Sequence, residues 1–293
     1  MNQKGYSFIA LATITVVFVY LINDYVFRSF EGVSLANLFF WGSFGATVIL
    51  SPFFLSTKNS IQILKNELVN HGKLVLLVSV LTAIGGFLWF LAIAESGAGV
   101  IALLEKSNVV FVFLLGIFFL QERVSRKELF FLGITVLGIF LVSSLKGEAS
   151  SLGVIAILIS QFLYSMQSFL IKKYGSEINS FFFSYIRLIL ILIFTGVFLS
   201  IIGVIGFVPM EAFLIMSLSQ VFGIFLYRYF YFEAHKFFPI SKISFLMLAE
   251  SILVLFGGYI LFGDSITIQK IAGAIFILVG LGLFLKEQEL LKK

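Results

Sequence analysis

Ten apolar runs, most of them about twenty residues long, limit what this chain can become. They lie near 6–24, 34–55, 74–94, 98–120, 127–145, 152–171, 180–203, 211–232, 238–261 and 266–285. About twenty apolar residues in a helix cross the hydrocarbon of a bilayer. Barrel strands would be about half as long and would alternate apolar with polar residues, and these runs do not alternate. Only 12% of the residues are charged, against about 25% in a soluble domain, so an aqueous surface could not be solvated. The chain reads as an all-α polytopic membrane protein, because helices satisfy their own backbone in lipid. The first run follows one lysine, Lys4, and lacks a small-residue cleavage site, so it reads as a retained span. Cysteine is absent, which removes disulfides, thiol nucleophiles and cysteine metal sites.

The chain also repeats itself. Residues 98–141 fall on residues 240–283 without a gap. Ile101 meets Ile243, Leu104 meets Leu246, Val112 meets Val254, Gly116 meets Gly258, Gly138 meets Gly280 and Leu141 meets Leu283, while Glu122 meets Asp264. Each copy is an apolar helix, a short acidic turn and a second apolar helix. The first span aligns with the sixth, and the second with the seventh, where Trp41 meets Arg187. The expectation is ten transmembrane helices as two inverted five-helix repeats, 1–147 and 148–293, since an odd number of spans reverses the second unit.

The basic residues choose an orientation. Lys4, Lys58, Lys65, Lys73, Arg123, Arg126, Lys127, Lys172, Lys173, Lys236, Lys286, Lys292 and Lys293 flank the spans on the side of the termini. Only Arg28, Lys146 and Lys270 lie on the other side. By the positive-inside rule both termini are cytoplasmic, in the cell membrane. The net charge of +5 is therefore a topological signal, with no nucleic-acid partner implied. The polar stretch from Ser56 to Lys73 is the one sizeable loop, with an interfacial turn of helix in SIQILKNELVN.

The segment FFLQERVS followed by Gly138, and its copy LFGDSIT followed by Gly273 and Gly280, resemble the EamA-type unit of the drug/metabolite transporter superfamily. The resemblance extends over both halves. It implies a ten-helix secondary carrier of small organic metabolites, amino acids, amines or drug-like compounds, many members being exporters. Arg187 falls where the second helix of the unit often has arginine. Val109 and Ser251 stand where the fourth and ninth helices usually have proline.

Ionisable residues deep in a span mark function by default. Glu250, near the middle of the ninth span, is the leading candidate: a site for a coupling proton or a cationic substrate group, or else a paired structural carboxyl. Glu105 and Asn108 share a face of the fourth span, and the repeat sets Asn108 opposite Glu250. Lys106 points elsewhere and neutralises a neighbouring acid. Arg187 reads equally as a carboxylate-binding residue or an internal partner, whereas Arg228 and Lys242 are expected to snorkel to the headgroups. Gln161 and Tyr164 belong to a sixth span too polar to face lipid, and Tyr20 to a similar first span with Thr13, Asn23 and Asp24. Trp89 is either a cavity aromatic or a packing residue.

His71 and His235 have no companions suited to zinc. No phosphate-binding loop, nucleophile elbow or HExxH motif is present, so neither an enzyme nor a nucleotide-driven pump is implied, and no cofactor. The expected function is alternating-access transport of a small molecule, driven by the substrate's own gradient or by protons through Glu250. Flipping a lipid-linked head group is the alternative within transport. A non-transporting scaffold is the alternative outside it, and it gives no reason for Glu250 or for polar first and sixth spans.

Overall fold

The computed structural model describes residues 3–120, 125–143, 149–174, 178–235, 237–238, 243, 246–247 and 249–291. Glu122, Lys242 and the expected boundary between residues 147 and 148 lie outside them. The elements are α1 (Gln3–Ser29), α2 (Leu35–Leu55), α3 (Ser60–Leu104), α4 (Ser107–Leu120), α5 (Arg126–Ser143), α6 (Ser151–Tyr174) and α7 (Ser180–Ile201). After them come α8 (Met210–Gln220), a π-helical stretch (Val221–Tyr227), α9 (Arg228–His235), α10 (Ala249–Phe262) and α11 (Ile268–Leu291). No strand occurs among the described residues, and seven helices are long and apolar enough to cross a membrane. Large apolar side chains such as Phe53, Phe118, Phe140 and Ile260 are exposed on the outside of the bundle. Lipid, unlike water, solvates such a surface without cost.

The 45 residues of α3 hide a reversal. Gly97 has φ 72° and ψ 157°, a conformation open essentially to glycine alone. The Trp89 indole donates to the Glu105 carboxylate at 3.3 Å. In a straight helix, residues so separated in sequence stand about 24 Å apart at 1.5 Å per residue. The chain therefore doubles back at Gly97, and α3 holds the expected third span together with the start of the fourth, up to Leu104. The stretch expected to be mainly loop, 56–73, is helical from Ser60.

The fourth span differs from expectation by being broken. Glu105 N–H still reaches back four residues to Ile101 O (2.8 Å), but Asn108 N–H bonds Glu105 O (3.0 Å) and Val109 N–H bonds Lys106 O (3.2 Å), three residues back. The ninth span shows the same register one repeat later: Met247 N–H to Ile243 O at 2.9 Å, then Glu250 N–H to Met247 O at 3.2 Å. The two breaks fall on the residues that the sequence repeat superposes.

The glycines of the repeat sit on a seam between α5 and α11. A Cβ added at Gly138 would lie 2.7 Å from Ile277 N and 2.8 Å from Gly273 O. One at Gly280 would lie 2.8 Å from Thr135 N and 2.9 Å from Phe131 O. With backbone on the facing side, only glycine permits this approach, the small-residue packing of membrane helices. Elsewhere α3 packs on α6 and α7, α2 on α7 and α8, and α10 on α1 and α3.

Candidate functional site

A narrow, partly open cavity of about 80 Å³ is walled by α1, α2, α3, the Glu105 turn, α6, α7 and the α8–π–α9 span. The apolar wall is Val16, Val19, Phe39, Phe90 and Ile224. The polar and aromatic wall is Asn23, Thr82, Trp89, Glu105, Tyr164, Arg187, Ser219, Gln220, Tyr227 and Arg228.

Arg187 is 0% exposed. It donates through Nη2 to Thr82 Oγ1 at 2.7 Å, and the Thr82 hydroxyl donates to Gln167 Oε1 at 2.9 Å. Its Nε and Nη1 have no protein partner. Arg228 lies with its guanidinium carbon 5.3 Å from the Tyr164 ring centre and 5.1 Å from that of Tyr227, within reach of a cation–π attraction. Among the described residues, no carboxylate pairs with either arginine; the ion pairs are Arg28 with Asp24 and Asp264, Lys106 with Glu250, and Lys127 with Glu287. A buried cation without a counter-charge is costly. Opposite in sign stands Glu105, whose Oε2 takes the Trp89 indole. That indole also lies 3.1 Å from the Tyr20 hydroxyl, with the two rings edge to face.

Four of the candidate residues, Trp89, Glu105, Tyr164 and Arg187, thus meet in one wall, with Tyr20 directly behind Trp89. Three do not reach it. Asn108 donates to Gln161 O (3.2 Å) and Ser165 Oγ (2.9 Å), so it fastens α4 to α6. Gln161 enters through that carbonyl, its side chain buried with Nε2 unpartnered. Glu250 accepts from Lys106 Nζ at 3.1 Å, and both are buried. This is the paired-carboxyl geometry, and it sets Lys106 across the repeat interface rather than on an idle face. Each partner belongs to one of the two helix breaks. Trp41, the repeat counterpart of Arg187, instead donates its indole to Gly206 O at 2.7 Å.

Arg228 corrects the expectation that it snorkels: it turns inward between two tyrosines. Apart from Arg228, the eighth span adds cavity residues that no expectation covers. Its Ser219, Gln220, Gly223 and Tyr227 follow helical spacing, and that polar and small stripe was the available signal. The π-helical stretch shifts the register midway, so that Gly223, Ile224 and Tyr227 all reach the cavity; such irregularities are frequent at functional sites. One end of the bundle is tied by a second cluster. Arg28 holds Asp24 (2.9 Å) and Asp264 (2.8 Å), and Asp24 also accepts Ala98 N–H at 3.1 Å. This joins α1 to the reversal at Gly97 and to the turn between α10 and α11.

A multi-pass helical bundle with a charged, aromatic-walled cavity is an architecture suited to membrane transport. A family model of the EamA-like transporter family matches residues 3–144 and, separately, residues 151–286. The chain belongs to that family and is a transporter of the drug/metabolite transporter type. A solved crystal structure of a protein is similar over 100% of this chain and 98% of its own, with a TM-score of 0.58 and 13% identity, a likeness of fold. No curated protein matches the chain.

Proposed function

We propose that this protein is a secondary carrier that moves a small organic metabolite across the cell membrane by alternating access, its halves 1–147 and 148–293 forming inverted five-helix repeats with both termini in the cytoplasm. The observation that carries the reading is the cavity lined from both halves: Asn23, Phe39, Trp89 and Glu105 from the first, Tyr164, Arg187, Gln220 and Arg228 from the second. A carrier needs its site where the two units meet, so that their relative motion exposes it to one face and then the other. The paired breaks at Glu105 and Met247 support the reading, because discontinuous helices beside a cavity are a recurrent feature of carriers.

In this reading Arg187, Arg228, Glu105 and Trp89 contact substrate, with Tyr164 and Tyr20 positioning them. Glu105 in the wall and Glu250, paired with the neighbouring Lys106, are the carboxyls open to a coupling proton. Asn108 and Gln161 hold the fourth span in place. The test is flux into proteoliposomes with a panel of amino acids, amines and organic acids, with and without a proton gradient. Uptake of at least one compound above protein-free vesicles is expected. A protein in demonstrably correct orientation that moves nothing in the panel would refute the carrier reading.

A further inference from the structure

We infer that the cavity is built for an organic anion: a single acid group seated at Arg187 and Arg228, with an apolar body lying against Val16, Val19, Phe39 and Phe90. The inference rests on the carrier reading and names its substrate class.

The wall carries two guanidiniums and one carboxylate. The carboxylate of Glu105 is already hydrogen-bonded by Trp89. Among the described residues neither guanidinium forms an ion pair, although Glu105 acts on Arg228 through space from the same wall, and two nitrogens of the fully buried Arg187 have no protein partner. The other unpartnered side-chain atoms in the wall are Asn23 Nδ2 and Gln220 Nε2. These enclosed atoms are all donors. The Arg187 charge also acts from a position shielded from water, where it is screened little. A ligand that completes such a wall brings acceptor oxygens and a negative charge, and a carboxylate fits the guanidinium fork. A monoanion also brings the sum of two positive charges and one negative to zero. An amine would add a third positive charge and offer donors to donors. A zwitterion would need Glu105 for its ammonium group.

Two matched sets of compounds separate these cases: hydrocinnamate, phenylalanine and phenethylamine; and isocaproate, leucine and isoamylamine. Each set keeps the apolar body and changes only the charged groups. Thermal-shift titration and proteoliposome counterflow at neutral pH are run with all six. The two acids are expected to raise the melting temperature and to be carried, the amino acids about tenfold or more weaker, and the amines without effect. Arg187→Gln is expected to weaken hydrocinnamate binding about 30-fold or more, the lower range for losing half of a buried charge pair. Arg228→Gln, at a less buried position, supplies the same test if the first variant does not fold. Preference for the amines or amino acids, or acid binding unchanged in a folded arginine variant, overturns the anion seat and leaves the carrier reading standing. Binding of none of the six also overturns it, and the wider flux panel then decides the carrier reading alone.

Discussion

Lys106→Met isolates the contact between the two helix breaks. The Lys106 ammonium lies 3.1 Å from Glu250 Oε1, and the two side chains are 11% and 2% exposed. Neither charge has water to fall back on. Removing one member of a buried pair costs about 3–5 kcal/mol, because the other charge is stranded. In a chain of this length each kcal/mol moves the melting temperature by about 2 °C, so Lys106→Met should melt about 6–10 °C lower. Adding Glu250→Gln removes the stranded charge and should restore most of the loss, giving a coupling energy of about 2 kcal/mol or more in the double-mutant cycle. Lys127→Met is the control. Its pair with Glu287 spans 3.5 Å with the lysine 72% exposed, and such a pair contributes about 0–1 kcal/mol. All variants are melted in one detergent with the parent alongside. The reasoning fails if Lys106→Met melts with the parent, or if the two losses simply add.

Three further outcomes are expected. Gly280→Ala should destabilise the protein by about 1–3 kcal/mol through overpacking of the α5–α11 seam, while Gly133→Ala, whose Cβ meets nothing within 4 Å, should be neutral or stabilising; equal melting temperatures would refute the seam. Arg28→Ala should unfasten α1 from the turn holding Asp264, so that a Val19→Cys reporter in the cavity reacts several-fold faster with a soluble maleimide. An unchanged rate would show that the Arg28 cluster does not close that end. The absence of native cysteine also makes orientation directly readable. Lys4→Cys and Lys286→Cys should label with an impermeant reagent only after the cell is opened, and Glu31→Cys in intact cells, whereas the reverse pattern would invert the proposed topology.

The helices were legible because their signal is local: apolar length sets a span, and the spaced glycines of one repeat mark the α5–α11 seam. The break at Glu105–Lys106 was not legible. Four successive polar residues, Glu105 to Asn108, interrupt the apolar run there, but polarity does not report a change of hydrogen-bond register, and the side chains at the break bond partners outside it, Glu105 with Trp89 and Lys106 with Glu250. The same limit explains the arginines. Arg187 was flagged by its depth, which sequence reports, but depth gave no way to distinguish a paired guanidinium from one with two bare nitrogens. Arg228 was assigned to the headgroups because long basic side chains near a helix end usually extend outward. That rule assumes nothing inside competes for the charge. Here Tyr164, on α6, and Tyr227, one residue away, place two ring faces around the guanidinium. Tyr227 alone is visible from sequence and would not hold it. Tyr164 stands on α6, which packs on α3 and is fastened to it by the Ser160 hydroxyl at Gly85 O (2.7 Å). The choice of Arg228 between lipid headgroup and cavity thus involves a side chain from another helix, and such a partner is visible only once the helices are packed.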